Sequence, residues 1–254
     1  MLTNKEQLRY SRQIMLKSIG EQGQLALRNA KVLVVGMGGL GNPVSMYLAA
    51  AGVGTLYLAD GDDIELTNLQ RQVLFNEQDI KGNKADIATE KLQQQNSEIT
   101  IEAIDEMLDE ELCQYYIPQV DLVVDCSDNL ATRYLINRWC VHFKTPLVIG
   151  AATGFDGQQL TVDSRNPDSA CYQCLFPSSE KAPENNCQTM GIVGPVLAII
   201  AGMQSLQAIK LLTGNNAQLN QLNLFDGLTN QWQQFNLTKQ KNCPICGNKT
   251  QLDE

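Results

Sequence analysis

A chain of 254 residues, 43% hydrophobic and 19% charged, is long enough to bury a sizeable core as one large domain or two small ones, and one α/β domain with appendages is the expectation. Its net charge of -9 is laid out unevenly: no Lys or Arg falls between Lys31 and Arg71 or between Lys91 and Arg133, and the second gap holds ten acids from Glu98 to Asp128. That distribution argues against a nucleic-acid partner and leaves two readings of the acidic face, a solvated surface or a docking surface for a basic protein. Residues 1–20 spread Lys5, Arg9, Arg12 and Lys17 among polar residues with no apolar signal core, so a cytoplasmic setting is expected.

In chain order, residues 4–29 have helical spacing and end near Asn29. Residues 32–35 read as a buried strand that runs into Gly36-Met-Gly-Gly-Leu-Gly41. Gly36, Gly38 and Gly41 fit the G-x-G-x-x-G turn, whose missing side chains let backbone N–H groups approach phosphate. A helix over 42–51 follows, with Pro43 in its first turn, where an absent N–H leaves nothing unpaired. A second apolar run, Gly54 to Ala59, ends in Asp60, placed to meet a ribose hydroxyl.

Further strands near 99–103, 121–125 and 147–150 alternate with helices near 83–95, 109–117 and 129–143. The alternation predicts a Rossmann-like, doubly wound, mostly parallel α/β sheet, with ligands gathering beyond the carboxyl ends of its strands. Asp60, Asp128 and the glycine turn belong to that rim. From about 157 the pattern becomes a strand (158–163), a cysteine pair, a polar stretch, an apolar helix within Gly191–Gly214, and strands near 221–225 and 231–236. This reads as an antiparallel C-terminal addition to the same sheet. Phe176–Gln188, rich in Pro, Ser, Glu and Asn, has little to bury and is expected to be a mobile loop. The apolar helix is long enough for a membrane span, but Gln204, Ser205, Gln207 and Lys210 interrupt it, so a core helix is expected and no membrane partner.

Eight cysteines in a chain read as cytoplasmic argue against a disulfide framework. Four form two C-x-x-C pairs, Cys171/Cys174 and Cys243/Cys246. That spacing turns two thiolates toward one ion, and two such knuckles make a closed four-sulfur structural zinc (Zn2+) site. A redox dithiol and unliganded thiols are the competing readings. Cys113, Cys126 and Cys140 fall in helix or strand patterns and read as core, Cys187 falls in the polar loop, and the single histidine, His142, reads as structural.

The strings Arg9-Tyr-Ser-Arg-Gln13, Gly36-Met-Gly-Gly-Leu-Gly41, Ala51-Gly-Val-Gly54, Asn68-Leu-Gln-Arg-Gln72, Gly82-Asn-Lys84 and Asp125-Cys-Ser-Asp-Asn129, with both cysteine pairs, carry a resemblance. Over nearly its whole length the chain resembles the ThiF/MoeB/HesA group of ubiquitin-activating-type adenylyltransferases. The resemblance implies a single adenylation domain over 1–254, made of N-terminal helices (1–30), a nucleotide-binding core (31–150) and a zinc-tied, carrier-binding portion (151–254). It also implies use of ATP to adenylate the C-terminal glycine of a small ubiquitin-like sulfur carrier, with release of pyrophosphate.

By the same resemblance Gly36, Gly38, Gly39 and Gly41 cradle the nucleotide, Arg71 and Lys84 hold phosphates, and Asn68 and Gln72 assist. Asp60 binds ribose, Asp128 holds magnesium (Mg2+), and Asn129 joins the cofactor-binding set. Asp62 and Asp63 either join the site or cap the following turn. The arginine corresponding to Arg12 reaches the neighbouring subunit's site in the family, which implies a homodimer. Cys187 stands where relatives carry a cysteine that forms a sulfur-linked intermediate, although the residues alone leave a role outside chemistry open.

Cys171-Tyr-Gln-Cys-Leu-Phe-Pro177, Asn186-Cys-Gln-Thr-Met-Gly-Ile-Val-Gly-Pro195 and Leu224-Phe-Asp-Gly-Leu-Thr-Asn-Gln-Trp232 look more like ThiF than MoeB. That favours a ThiS-like carrier and thiamin thiazole synthesis over a MoaD-like carrier and molybdopterin. The sequence stops at Glu254, shortly after the second knuckle, so a separate sulfur donor such as a cysteine desulfurase is expected. An NAD oxidoreductase would explain neither Arg71 and Lys84 nor the four cysteines, and a non-catalytic scaffold would have no use for Arg71, Lys84 and Asp128.

Overall fold

The computed structural model describes residues 1–177 and 191–247. Most of the expected loop Phe176–Gln188, with Cys187, lies outside the described residues. The elements run α1 (Asn4–Arg9), α2 (Ser11–Ile14), α3 (Gly20–Asn29), β1 (Lys31–Val35), α4 (Gly41–Ala51), β2 (Thr55–Ala59), α5 (Lys84–Gln95), β3 (Thr100–Ile104), α6 (Glu110–Tyr116), β4 (Leu122–Asp125) and α7 (Leu130–Phe143). Then come β5 (Leu147–Thr153), β6 (Asp156–Val162), α8 (Tyr172–Leu175), α9 (Gly194–Leu212), β7 (Gln221–Asp226) and β8 (Gln231–Asn236).

These strands form one eight-stranded sheet in the order β3-β2-β1-β4-β5-β6-β7-β8. The pairs from β3 through β5 are parallel, and those from β5 through β8 are antiparallel. The expected α/β sheet with an antiparallel C-terminal addition is therefore the observed fold. Strand β1 shows why its residues are apolar throughout: Val32 and Val34 join the core on one face with Leu48, Leu92 and Ile200, and Leu33 and Val35 join the other with Ile136, Leu147 and Tyr172. A strand buried on both faces reads as a continuous hydrophobic run because successive side chains point opposite ways.

The N-terminal helical stretch is not continuous. It breaks into three helices, with Tyr10 leaving helical geometry after α1 and Gly20 taking φ +58 at the entry to α3. Thr3 and Glu6 close a capping box on α1. The apolar helix begins at Gly194, after a short extended stretch in which Val193 N–H donates to Gly154 O at 3.0 Å. α9 is long and apolar enough to cross a membrane by length and composition, yet it packs on α4, β5 and β6. Its interrupting glutamines find partners inside: Gln204 Nε2 donates to Asp125 O at 2.8 Å, and Gln207 Nε2 to Gln218 Oε1 at 3.2 Å.

Candidate nucleotide site and metal centre

The sheet order reverses at β1, which has β2 on one side and β4 on the other, so the loops leaving β1 and β4 part and open a crevice at their carboxyl ends. The glycine turn lies there. Gly36 has φ +89, and a Cβ on it would stand 2.9 Å from Cys126 O in the loop after β4. A Cβ on Gly41 would stand 1.8 Å from Gly36 O, so the turn closes only without a side chain there. Gly39 packs on α9, where a Cβ would come within 2.5 Å of Leu197 Cδ1. Gly38 is the open position, and Gln72 Nε2 lies 3.7 Å from where its Cβ would be.

Asp60, at the end of β2, accepts from Met37 N–H through Oδ2 at 2.6 Å and from Asp62 N–H through Oδ1 at 2.9 Å. Burial pushes its carboxyl above the usual carboxylate range, and the Lys84 charge and the two N–H bonds pull it part of the way back. Each oxygen keeps a second lone pair on the rim, which fits a ribose hydroxyl. Lys84 opens α5, is only 7% exposed, and donates from Nζ to Asp62 Oδ2 at 2.8 Å. Asn83 caps that helix through the Ala85 and Asp86 N–H groups and donates to Asp60 O at 3.1 Å, fastening α5 to β2. Asp62 thus serves as counter-ion to Lys84, and Asp63 pairs its backbone with Asn83.

A short 3-10 turn over Leu66–Asn68 places the next group. Asn68 Oδ1 closes it by accepting from Glu65 N–H at 3.1 Å. Arg71 is half-buried, donates from Nη1 to Thr67 O at 3.0 Å, and lies beside the start of α9, where a Cβ on Gly194 would be 3.7 Å from Arg71 Cα. Gln72 is 2% exposed, and its Oε1 is buried with no hydrogen-bond partner among the described residues. An acceptor left so costs about 1–3 kcal/mol, which suits a bound group that donates to it.

The third wall is the loop after β4. Asp125 is fully buried and accepts from Ser127 N–H at 2.9 Å and Ser127 Oγ at 2.6 Å, both through Oδ1. Arg133, 5% exposed on α7, approaches Asp125 Oδ2 through Nε at 3.4 Å and donates from Nη2 to Ser127 O at 2.7 Å and Gly150 O at 3.3 Å. Asp128 follows on this clamped loop and is exposed. Asn129 caps α7 by accepting from Thr132 N–H at 2.9 Å, so its side-chain oxygen already serves the helix.

Arg12 is exposed on α2 and makes no hydrogen bond or ion pair among the described residues, so nothing in the described chain joins it to the crevice. Three buried polar side chains escaped the sequence reading as structural ties: Asn42, Arg133 and Gln204. Each is a polar residue in a buried helix position, and that incongruity is the signal by which they could have been found.

The four cysteines come together as expected. Cys171 precedes α8, Cys174 lies within it, and Cys243 and Cys246 sit in the turn after β8. All four sulfurs lie within 4.8 Å of one another, with Cys171 and Cys243 at 3.6 Å and Cys174 and Cys246 at 3.3 Å. Tetrahedral zinc at about 2.3 Å from each sulfur would set them about 3.8 Å apart, so the cluster fits that ion with little adjustment. Gly247 lets the second knuckle turn, since a Cβ there would lie 2.5 Å from Cys243 O. Four sulfurs leave no coordination position for a substrate. The centre pins α8 to the chain after β8, and Tyr172 carries the link inward: its N–H donates to Asn137 Oδ1 at 2.9 Å.

The ThiF family model matches residues 10–245. The chain is 44% identical over 246 residues to the "Sulfur carrier protein ThiS adenylyltransferase" of Escherichia coli (strain K12), covering 97% of each chain. It is also 44% identical over 255 residues to the "Adenylyltransferase and sulfurtransferase MOCS3" of Culex quinquefasciatus, covering 99% of this chain but only 58% of that protein. Among solved structures, E. coli MccB with ATP superposes at TM-score 0.81 with 27% identity, covering 94% of this chain and 73% of that one. The glycine crevice, the four-cysteine centre and these likenesses agree, and the chain belongs to the ThiF family.

Proposed function

We propose that this ThiF-family adenylyltransferase uses ATP to adenylate the C-terminal glycine carboxylate of a ThiS-like sulfur carrier, in the thiazole branch of thiamin synthesis. The observation that carries the nucleotide reading is the convergence of three elements at the reversal of strand order. These are the glycine turn, the buried Lys84 held by Asp62 at 2.8 Å, and the buried, unpartnered Gln72 Oε1. The 97% mutual coverage with the E. coli ThiS adenylyltransferase supports the choice of carrier.

In this reading ATP lies along the glycine turn with its ribose at Asp60 and its phosphates toward Arg71 and Lys84. The carrier's carboxylate attacks the α-phosphorus, the bond from that phosphorus to the bridging oxygen breaks, and pyrophosphate leaves. No proton need be abstracted, because the nucleophile is already an anion, which agrees with a site free of histidine. What the step demands is charge stabilisation on the phosphates, and Arg71 and Lys84 supply it as fork and point charge. Asp128 would hold Mg2+, which screens the phosphate oxygens when bound. The four cysteines would hold structural Zn2+.

In this reading residues 151–254 form the carrier-binding portion. A cavity of about 550 Å3 runs from Leu130 and Arg133 past Thr153 to Tyr172, Phe176 and Phe225, which suits an extended peptide tail bound for the rim near Asp128. We place the enzyme in the cytoplasm as a homodimer in which Arg12 serves the partner's site, with sulfur delivered by a separate donor such as a cysteine desulfurase. The role of Cys187 belongs to that later sulfur step. A MoeB-like reading, with a MoaD-like carrier, is favoured by one observation, the equal 44% identity to the MOCS3 relative. Carrier-dependent ATP–pyrophosphate exchange, run separately with ThiS-like and MoaD-like proteins, decides between them. Exchange only with the former supports the thiazole assignment, and preference for the latter replaces it.

A further inference from the structure

Asn42 is the second residue of α4 and is wholly buried, in a helix whose other buried side chains are mostly apolar. Its amide faces two ways. Nδ2 donates to Met37 O in the glycine turn at 2.7 Å, and Oδ1 accepts from Leu74 N–H at 3.0 Å. Met37 is held at its other end too, because its N–H donates to Asp60 Oδ2 at 2.6 Å. A single amide head therefore joins the turn that would cradle phosphate to the segment that carries Arg71 and Gln72.

That segment needs an external tie. Its internal bonds are short in range: Arg71 N–H and Gln72 N–H both donate to Asn68 O, at 3.1 and 3.0 Å, and Phe75 N–H donates to Gln72 O at 3.1 Å. Such bonds set the segment's shape, not its distance from the turn. Among the described residues no other hydrogen bond joins 66–75 to 36–42. Leu74 is three residues from Arg71 and two from Gln72, and Gln72 Nε2 lies 3.7 Å from the open side of Gly38. Only a side chain with both a donor and an acceptor on one rigid head can make the two bonds at once; an ionised aspartate has no donor, and serine does not reach both backbones.

We propose that Asn42 is a positioning residue for nucleotide binding, which sets Arg71 and Gln72 at their working distance from the glycine turn. The assignment rests on the nucleotide reading above. A mere strut would stabilise the fold without tuning affinity; a positioning residue moves the ATP terms specifically.

Two measurements test it together. In pyrophosphate exchange, Asn42→Ala and Asn42→Leu should raise the KM for ATP about tenfold, the worth of one or two buried hydrogen bonds. The KM for the carrier should change less than about twofold. Hydrogen exchange on the native protein, without carrier, needs no variant to fold: ATP should protect peptides covering 36–42 and 66–75 together. Unchanged ATP KM in a folded Asn42 variant would overturn the assignment, as would native protein in which ATP protects 36–42 while 66–75 exchanges as before. Protection of neither segment would overturn the nucleotide reading itself, and this role with it.

Discussion

The Arg133 guanidinium lies over the ring of Tyr172, 5.7 Å from its centroid, so the residue that clamps the β4 rim also touches the helix of the first cysteine knuckle. Through this contact the four-cysteine centre and the candidate nucleotide crevice are joined by one buried chain of contacts: Tyr172 beside Arg133, Arg133 beside Asp125, and Asp125 holding Ser127 next to Asp128.

Arg133→Ala should destabilise the protein by about 3–5 kcal/mol, because it leaves the Asp125 carboxylate buried without its cation. Burial already raises the Asp125 carboxyl above its ordinary value, with Arg133 opposing that rise. The native state therefore holds this proton more tightly than the unfolded chain does. That contribution is present below the unfolded pKa and is lost as pH rises through the folded one. Without Arg133 the folded pKa moves higher and the window widens upward, so the variant's deficit should shrink as pH falls toward the carboxylate range. Urea unfolding of both proteins across acidic and neutral pH checks this; a deficit independent of pH would separate Arg133 from Asp125.

Lys84→Ala and Arg71→Ala should each lower pyrophosphate exchange by about a hundredfold or more, the usual effect of removing one charge-stabilising group. Neither should unfold the protein: Asp62, the acid paired with Lys84, is itself exposed and stays solvated when the lysine is removed. Exchange kinetics with a melting curve on the same preparation would expose a loss due to misfolding.

Complementation tests the shared site. If Arg12 serves the neighbouring subunit, mixing inactive Arg12→Ala with inactive Lys84→Ala should give heterodimers with one intact site. Equal mixing should then return about a quarter of native activity, since about half the dimers are mixed and each has one working site of two. Activity that stays at the level of the parents would place both residues in the same chain's site.

Native-state alkylation should spare three of the cysteines. Burial pushes the Cys113 thiol up to about 12, and Cys126 and Cys140 are raised well above the ordinary thiol value for the same reason. At pH 8 a thiol with a pKa of about 12 is thiolate in about one molecule in ten thousand, and thiolate is the nucleophile. Mass mapping after iodoacetamide should find them modified only on unfolding. Removal of metal by chelation should in turn make Cys174, which is half-buried, reactive.

Much of this was legible in the residues because periodicity and glycine geometry are local. Val32 to Val35 had to be a buried strand, Gly36 and Gly41 had to turn without side chains, and the two C-x-x-C pairs announced their ligand spacing. The break of the N-terminal stretch at Tyr10 and Gly20 was hidden because helical spacing continues across both. Asn42, Arg133 and Gln204 were hidden for another reason: the hydrogen bonds that hold them run largely to backbone carbonyl and N–H groups, which no side-chain pattern records. Asn129 also caps α7 through its side-chain oxygen, a local role that its place beside Asp128 does not announce.

The most direct test is the mass of the carrier itself. A ThiS-like protein incubated with enzyme, ATP and Mg2+ should gain one adenylyl group, and the same protein lacking its last glycine should gain none. Equal adenylylation of the truncated carrier, or none of the intact ThiS-like and MoaD-like carriers, would contradict adenylation of a C-terminal glycine by this chain.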